Sequence, residues 1–331
     1  MRALISLIVV LAALASAAAG ALLWEDWHFA AAGPGMSDTT VRIRQGSSVR
    51  LVAENLEAAN VIDNAFLFRA GVLWRGQQAA LKAGEYSFPA RISMEQAMAK
   101  LIRHDVVEHR ITIAEGLTSD MALAILKADP VLEGETPEVA EGKLLPETYL
   151  FEWGTTRAEM VSRMQKAQEN LLAELWPKRK EGLPFATQDE ALNLASIVEK
   201  ETGVPSERPR IAAIFVNRLK RGMKLEADPT IIYGLTKGQP LGHPLRQSEL
   251  AQPNPYSTYQ IVGLPPTPIA NPGREAIAAV LNPPDSDEIF FVANGTGGHA
   301  FASTIQEHER NVAALRRLER EQPASETPRL R

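Results

Sequence analysis

Ala3 to Trp24 is a run of 22 residues without a single charge, broken only softly by Ser6, Ser16 and Gly20. A helix of that length reaches across the ~30 Å hydrocarbon core of a bilayer. Arg2 precedes the run, and Trp24, Glu25, Asp26 and Trp27 end it. Basic flanks stay in the cytoplasm and tryptophan collects at the membrane interface, so residues 1–27 are expected to form a retained single-pass anchor. The N-terminus is then cytoplasmic, and the body lies on the periplasmic side of the inner (plasma) membrane. Ala15-Ser16-Ala17 and Ala17-Ala18-Ala19 resemble small-residue cleavage sites, which makes a removed signal peptide the competing reading. The length of the run and the tryptophan pair favour the anchor, and both readings export the body.

The remaining roughly 300 residues suffice for two domains. A chain that is 45% hydrophobic and 23% charged can build an ordinary globular core. It contains no cysteine, which removes disulfides, thiolate zinc sites and thiol catalysis together. The net charge is −5 and no Lys/Arg cluster dominates any segment, so nucleic acid is not an expected partner.

A linker at 28–40, rich in Gly, Pro and Ser toward its end, precedes Val41-Arg42-Ile43, which alternates like a strand. After the Gly46-Ser47-Ser48 turn, Val49, Val52, Ala53 and Leu56 recur at helical spacing. An apolar segment runs from Val61 through Phe66 and Phe68, and Leu81 to Phe88 makes a turn into a strand. Helices are expected after Ser93 and Thr118, with a strand over 108–113 between them. The division that follows is a small mixed domain at 41–114, a larger mainly helical domain with short strands at 115–320, and a disordered tail at 321–331. The fold class is α+β.

Within the larger domain, Thr187-Gln188-Asp189-Glu190 has the form of a capping box, and Gly203 and Pro205 supply a stop. At 100° per residue Glu201 falls in the apolar stripe with Leu194, Ile197 and Val198, whereas Glu199 points away. A carboxylate on an apolar face loses solvation. In a helix's last turn it also meets the negative end of the dipole, and both effects favour the protonated acid. A structural glutamate paired with an arginine would read the same way.

Ala195 to Thr202, Glu207-Arg208, Phe215 to Leu219, Asp228 to Gly234, Tyr256 to Tyr259, Gly263 to Pro266, Ile269 to Gly273 and Gly297 to Phe301 resemble, in order, the MltG/YceG-like endolytic murein transglycosylases. Glu115-Gly116-Leu117 and Leu145 to Tyr149 fit the same pattern. The resemblance implies a LysM-like subdomain in front of a lysozyme-like catalytic domain. It implies an enzyme that cuts inside nascent glycan strands and so ends their elongation, with Glu201 of Glu-Lys-Glu-Thr as its acid. Its partners would be peptidoglycan strands, the inner membrane and peptidoglycan synthases, and neither cofactor nor metal is implied. Ser257 stands where the family pattern leads us to expect Asn, which weakens a sugar-binding role there.

Candidates to surround the substrate are Thr202, Asn217, Arg218, Asp228, Thr230, Tyr233, Tyr256 and Tyr259. Each has a plain structural alternative: a helix-end arginine pairs with carbonyls, Asp-Pro opens turns, and tyrosines fill cores. Tyr86 and Trp74 are the aromatic candidates of the small domain. His299 lacks the spacing of a metal ligand and reads as structural. Two rival functions stay open, a muramidase-type hydrolase with Asp228 or Glu207 as second carboxylate, and a non-catalytic glycan-binding scaffold.

Overall fold

A computed structural model describes residues 2–321, and the side chains of all of these except 2–4, 18, 21 and 22. The tail expected after Glu321 lies outside the described residues. The chain separates into two compact units, Met1–Arg110 with Leu150–Thr155, and Ile111–Tyr149 with Thr156–Arg331.

The first unit begins with α1 (Arg2–Ala30), whose Ile5, Leu7 to Leu11 and Leu14 stand exposed and whose Phe29 is buried. Among the described residues no helix is long and apolar enough to cross a membrane. The run expected to do so includes residues 3, 4, 18, 21 and 22, whose side chains are not described. Next come β1 (Thr39–Ile43), α2 (Val49–Ala58), α3 (Ala65–Trp74), β2 (Gly84–Phe88) and α4 (Met94–Arg103). Strand β1 pairs antiparallel with β2, setting Val41 opposite Tyr86. The oxygens of Ser48, Asn64 and Ser93 accept the orphan N–H groups that open the three helices. Val52, Leu56, Phe68, Val72, Phe88 and Leu101 close the core of this unit. Tyr86 belongs to that core and does not face a glycan: it is fully buried, and its hydroxyl donates to the Lys82 carbonyl at 2.8 Å. Trp74 is exposed.

Strand β3 (Glu108–Thr112) leads to α5 (Ser119–Ala128), β4 (Thr148–Glu152), α6 (Arg157–Leu175), α7 (Gln188–Glu201), α8 (Arg208–Lys220), α9 (Asp228–Thr236), α10 (Gln247–Ala251) and α11 (Arg274–Leu281). Then β5 (Phe290–Ala293) pairs antiparallel with β6 (His299–Ala302), and α12 (Ile305–Glu321) follows. Helix α7 is the axis of this second unit. Thr187 and Glu190 form the reciprocal capping box read from the sequence. Every residue from Ala191 to Val198 is buried, because α8, α9 and α11 all pack on α7. The apolar stripe is therefore one face of a helix enclosed on all sides. Burying each large aliphatic chain there contributes roughly 1.5–3 kcal/mol.

Candidate active site

The C-terminal end of α7 presents Glu201. The helix stops because Thr202 adopts an extended backbone (φ −138°, ψ 130°), and the Thr202 hydroxyl accepts the Val204 N–H at 2.9 Å to fix the turn. Thr202 thus shapes the site from behind. Glu201 keeps part of its surface open to solvent, yet its carboxyl is pushed up to about 8. Dehydration is the main cause; the nearby Asp228 carboxylate adds to it and the Arg218 guanidinium opposes it. No hydrogen bond from the described residues holds the Glu201 carboxyl. A group with these properties stays protonated at neutral pH and remains available to a ligand.

Asp228 opens α9 and is exposed, with Pro229 behind it where a missing N–H costs nothing. The Tyr259 hydroxyl donates to Asp228 Oδ1 at 2.9 Å. Burial raises the pKa of that phenol, as do the charges of Asp228 and, more weakly, Glu201. Glu201, Asp228 and Tyr259 are therefore one electrostatic cluster, drawn from the end of α7, the start of α9 and the loop after α10.

The other candidates divide. Arg218 is buried and spends its donors on the chain itself: Nε to the Ile289 carbonyl at 2.6 Å, and Nη1 to the Lys224 and Leu225 carbonyls at 3.1 and 3.0 Å and to Glu226 at 2.9 Å. Its charge reaches Glu201 while its hydrogen bonds hold the turn before α9. The Asn217 amide donates to the carbonyls of Ser286 and Glu288 at 2.6 and 3.0 Å. Thr230 is fully buried, its hydroxyl donating to Ala227 at 2.6 Å and meeting Thr258 at 3.0 Å. Ser257 is also fully enclosed, and its hydroxyl has no hydrogen-bond partner among the described residues. These four positions build the frame of the site.

Tyr233 and Tyr256 form a second group, ring centroids 4.9 Å apart and edge to face, with the Lys237 ammonium 5.2 and 5.0 Å from the two rings. The Tyr233 hydroxyl donates to Glu141 at 3.2 Å, and Tyr256 meets Thr267 at 3.0 Å. Tyr233 is buried and Tyr256 half-buried. Burial pushes the Glu141 carboxyl above the ordinary range, against donation from the Ser119 N–H (2.7 Å), the Ser119 hydroxyl (3.0 Å) and Tyr233. Sequence reading passed over Glu141 and Lys237, since Glu141 lies in an aperiodic segment and Lys237 just past a helix end; only the fold sets them beside the tyrosines.

Of the acids proposed as a second carboxylate, Glu207 is occupied. It accepts the His299 N–H at 2.9 Å and pairs with its ring Nδ1 at 2.6 Å. Burial works against its charge, but these bonds outweigh it and hold the acid below its usual range. Glu199 is likewise tied down, accepting the Gly273 N–H at 2.9 Å and Arg208 at 3.3 Å.

The profile of the YceG-like family matches residues 41–314, most of the chain. The chain belongs to the YceG-like family. An endolytic murein transglycosylase of Bacillus subtilis (strain 168) is 29% identical over 308 residues, spanning 83% of this chain and 84% of that one. Another, from Streptococcus pneumoniae serotype 2, is 29% identical over 322 residues, covering 83% of this chain and 58% of the pneumococcal protein. This YceG-like chain thus spans little more than half the length of the pneumococcal relative. The crystal structure of a yceG-like protein from Listeria monocytogenes matches it with a TM-score of 0.51 and 29% identity, over 83% of this chain and 98% of that one. The fold is accordingly the mixed, mostly helical YceG-like fold.

Proposed function

We propose that this protein is a lytic transglycosylase that cleaves the MurNAc-GlcNAc β-1,4 bond within peptidoglycan strands, with Glu201 as its only catalytic carboxyl. The observation that carries the reading is the unbonded Glu201 carboxyl, raised to about 8, in a chain whose relatives bear the name endolytic murein transglycosylase. Held protonated at neutral pH, Glu201 donates its proton to the glycosidic oxygen as the bond breaks. The resulting carboxylate takes the proton of the MurNAc C6 hydroxyl, whose oxygen closes on C1 to give 1,6-anhydroMurNAc. One group works as acid and then as base, and a pKa near the operating pH suits both roles.

Asp228 sustains the acid by its charge, Tyr259 fixes Asp228, and Tyr256 offers an aromatic face to a sugar. The N-terminal run supports a membrane anchor, the unit around β1 and β2 a LysM-like module that orients the strand, and cutting inside nascent strands would end their elongation beside peptidoglycan synthases. The deciding experiment is mass spectrometry of the fragments first released from purified glycan strands. Ends one water lighter than reducing MurNAc are expected. Reducing ends would mean that water attacks C1, and Asp228, the exposed acid coupled to Glu201, would then be the partner of a hydrolase.

A further inference from the structure

Helix α3 is apolar on two opposite faces. Phe68, Gly71 and Val72 point into the core of the first unit. On the other side Phe66 and Trp74 are each 69% exposed and Leu73 is 50% exposed. At 100° per residue Phe66, Ala70, Leu73 and Trp74 share one arc, and Arg69 stands at its edge. A helix that is hydrophobic all round belongs inside a protein core or against lipid, and this one has a core on one face only. Aromatic and aliphatic side chains left that open on adjoining turns cost solvation, which a cover would relieve.

The neighbour of α3 tells what the cover is. Helix α3 packs against the end of α1, with Phe68 stacked on Phe29 at 6.0 Å and the ring of Phe29 against Gly71. A Cβ at Gly71 would stand 2.4 Å from that ring, so the close approach depends on glycine. On this same stretch of α1, Leu23, Trp24 and Trp27 are 72%, 54% and 69% exposed. The nearby acids have partners: Arg75, just after α3, reaches both Glu25 at 3.1 Å and Asp26 at 2.5 Å, and His28 meets Asp63 at 3.1 Å. Arg69 has no carboxylate partner among the described residues. Exposed Trp and Phe with an unpaired arginine at the rim are the chemistry of a lipid headgroup boundary.

We propose that the outer face of α3, through Phe66, Leu73 and Trp74, inserts into the interface of the bilayer and holds the first unit against the membrane. This rests on the membrane association proposed above. A helix tip dipping into lipid would fix the height of the small unit above the surface.

Because the sequence has no cysteine, a single introduced thiol carries a unique label. The full-length chain is reconstituted in vesicles of neutral and anionic phospholipid, with an environment-sensitive fluorophore at Leu73→Cys, at Phe66→Cys, or at Glu54→Cys as a control on α2. Flotation of each labelled protein with the vesicles tests the underlying membrane reading by itself. Among floated proteins, labels at 66 and 73 should emit to the blue of label 54 and be quenched by lipid-borne quencher, with little loss to aqueous iodide. Labels at 66 and 73 that match label 54 in emission and iodide quenching, on protein that floats, would overturn the inference. A dry label in cells that is wet in lipid-only vesicles would overturn it too, since a protein would then be the cover.

Discussion

At the residue scale, the proposed chemistry rests on one carboxyl, that of Glu201, which burial favours in its protonated form. Glu201→Gln keeps the size and shape of the side chain and removes its transferable proton, so cleavage should fall by roughly two to four orders of magnitude while circular dichroism stays the same. The same variant should alter stability in a defined direction. The folded-state value, about 8, lies above the ordinary 4.5, so the protonated acid favours the fold. That contribution is complete below about pH 4.5 and is lost as pH rises through about 8. Urea denaturation across this window should therefore show the wild type weakening more steeply than the glutamine variant, which keeps the raised Glu141 carboxyl. The gap at pH 7 should be at most about 3 kcal/mol, and smaller insofar as water reaches the residue. Asp228→Asn removes a neighbouring negative charge that raises Glu201. The alkaline limb of the rate profile, set by loss of the acid's proton, should then move to lower pH with cleavage retained. Abolished cleavage across the whole profile would instead give Asp228 a direct chemical part.

At the element scale, α7 carries the acid and its neighbours hold the walls. The Thr187 cap sits at the far end of α7 from Glu201, so Thr187→Ala should cost about 1 kcal/mol in denaturation and leave the rate per folded molecule unchanged. Arg218 is different, because its bonds to the carbonyls of Lys224, Leu225 and Ile289 join the end of α8 to the turn before α9 and the approach to β5. Arg218→Ala leaves buried carbonyls unpaired and should cost roughly 3 kcal/mol or more. It should also lift the Glu201 carboxyl further, since the opposing positive charge is gone. Thermal melting reads the first effect and the pH-rate profile the second. If Arg218 mainly gripped substrate, KM would rise with the melting temperature unmoved.

At the scale of the whole molecule, the charge-free N-terminal run and the exported enzyme it implies predict that full-length protein fractionates with the inner membrane and resists extraction by high salt. A soluble mature form starting near Ala18 to Gly20 would replace the anchor with a cleaved leader.

Much of the architecture was legible because it is local. Thr187 and Glu190 are three residues apart, and Ser48, Ser93 and Thr118 each cap the turn that follows, so their bonds close within one helical turn wherever the helix lies. Strand β1 was visible from the alternation of Val41 and Ile43. The wheel also singled out Glu201 over Glu199, since side-chain direction on a helix follows from residue spacing. What depends on distant segments was not legible. Tyr86 reads as well for a surface as for a core, and its burial was decided by α4 folding over β2. Whether Asn217, Arg218 and Thr230 face a ligand or the chain depended on carbonyls and hydroxyls up to 71 residues away. The coupling of Glu201 to Asp228 and Tyr259, and of Tyr233 to Glu141, arises between segments with no common period. The sequence alone therefore determined the helix, its N-terminal cap and the face on which Glu201 lies, because those follow from covalent spacing. Only the tertiary structure decided which acid stays unbonded and which polar side chains are spent on the frame, because dehydration and hydrogen-bond partners come from packing.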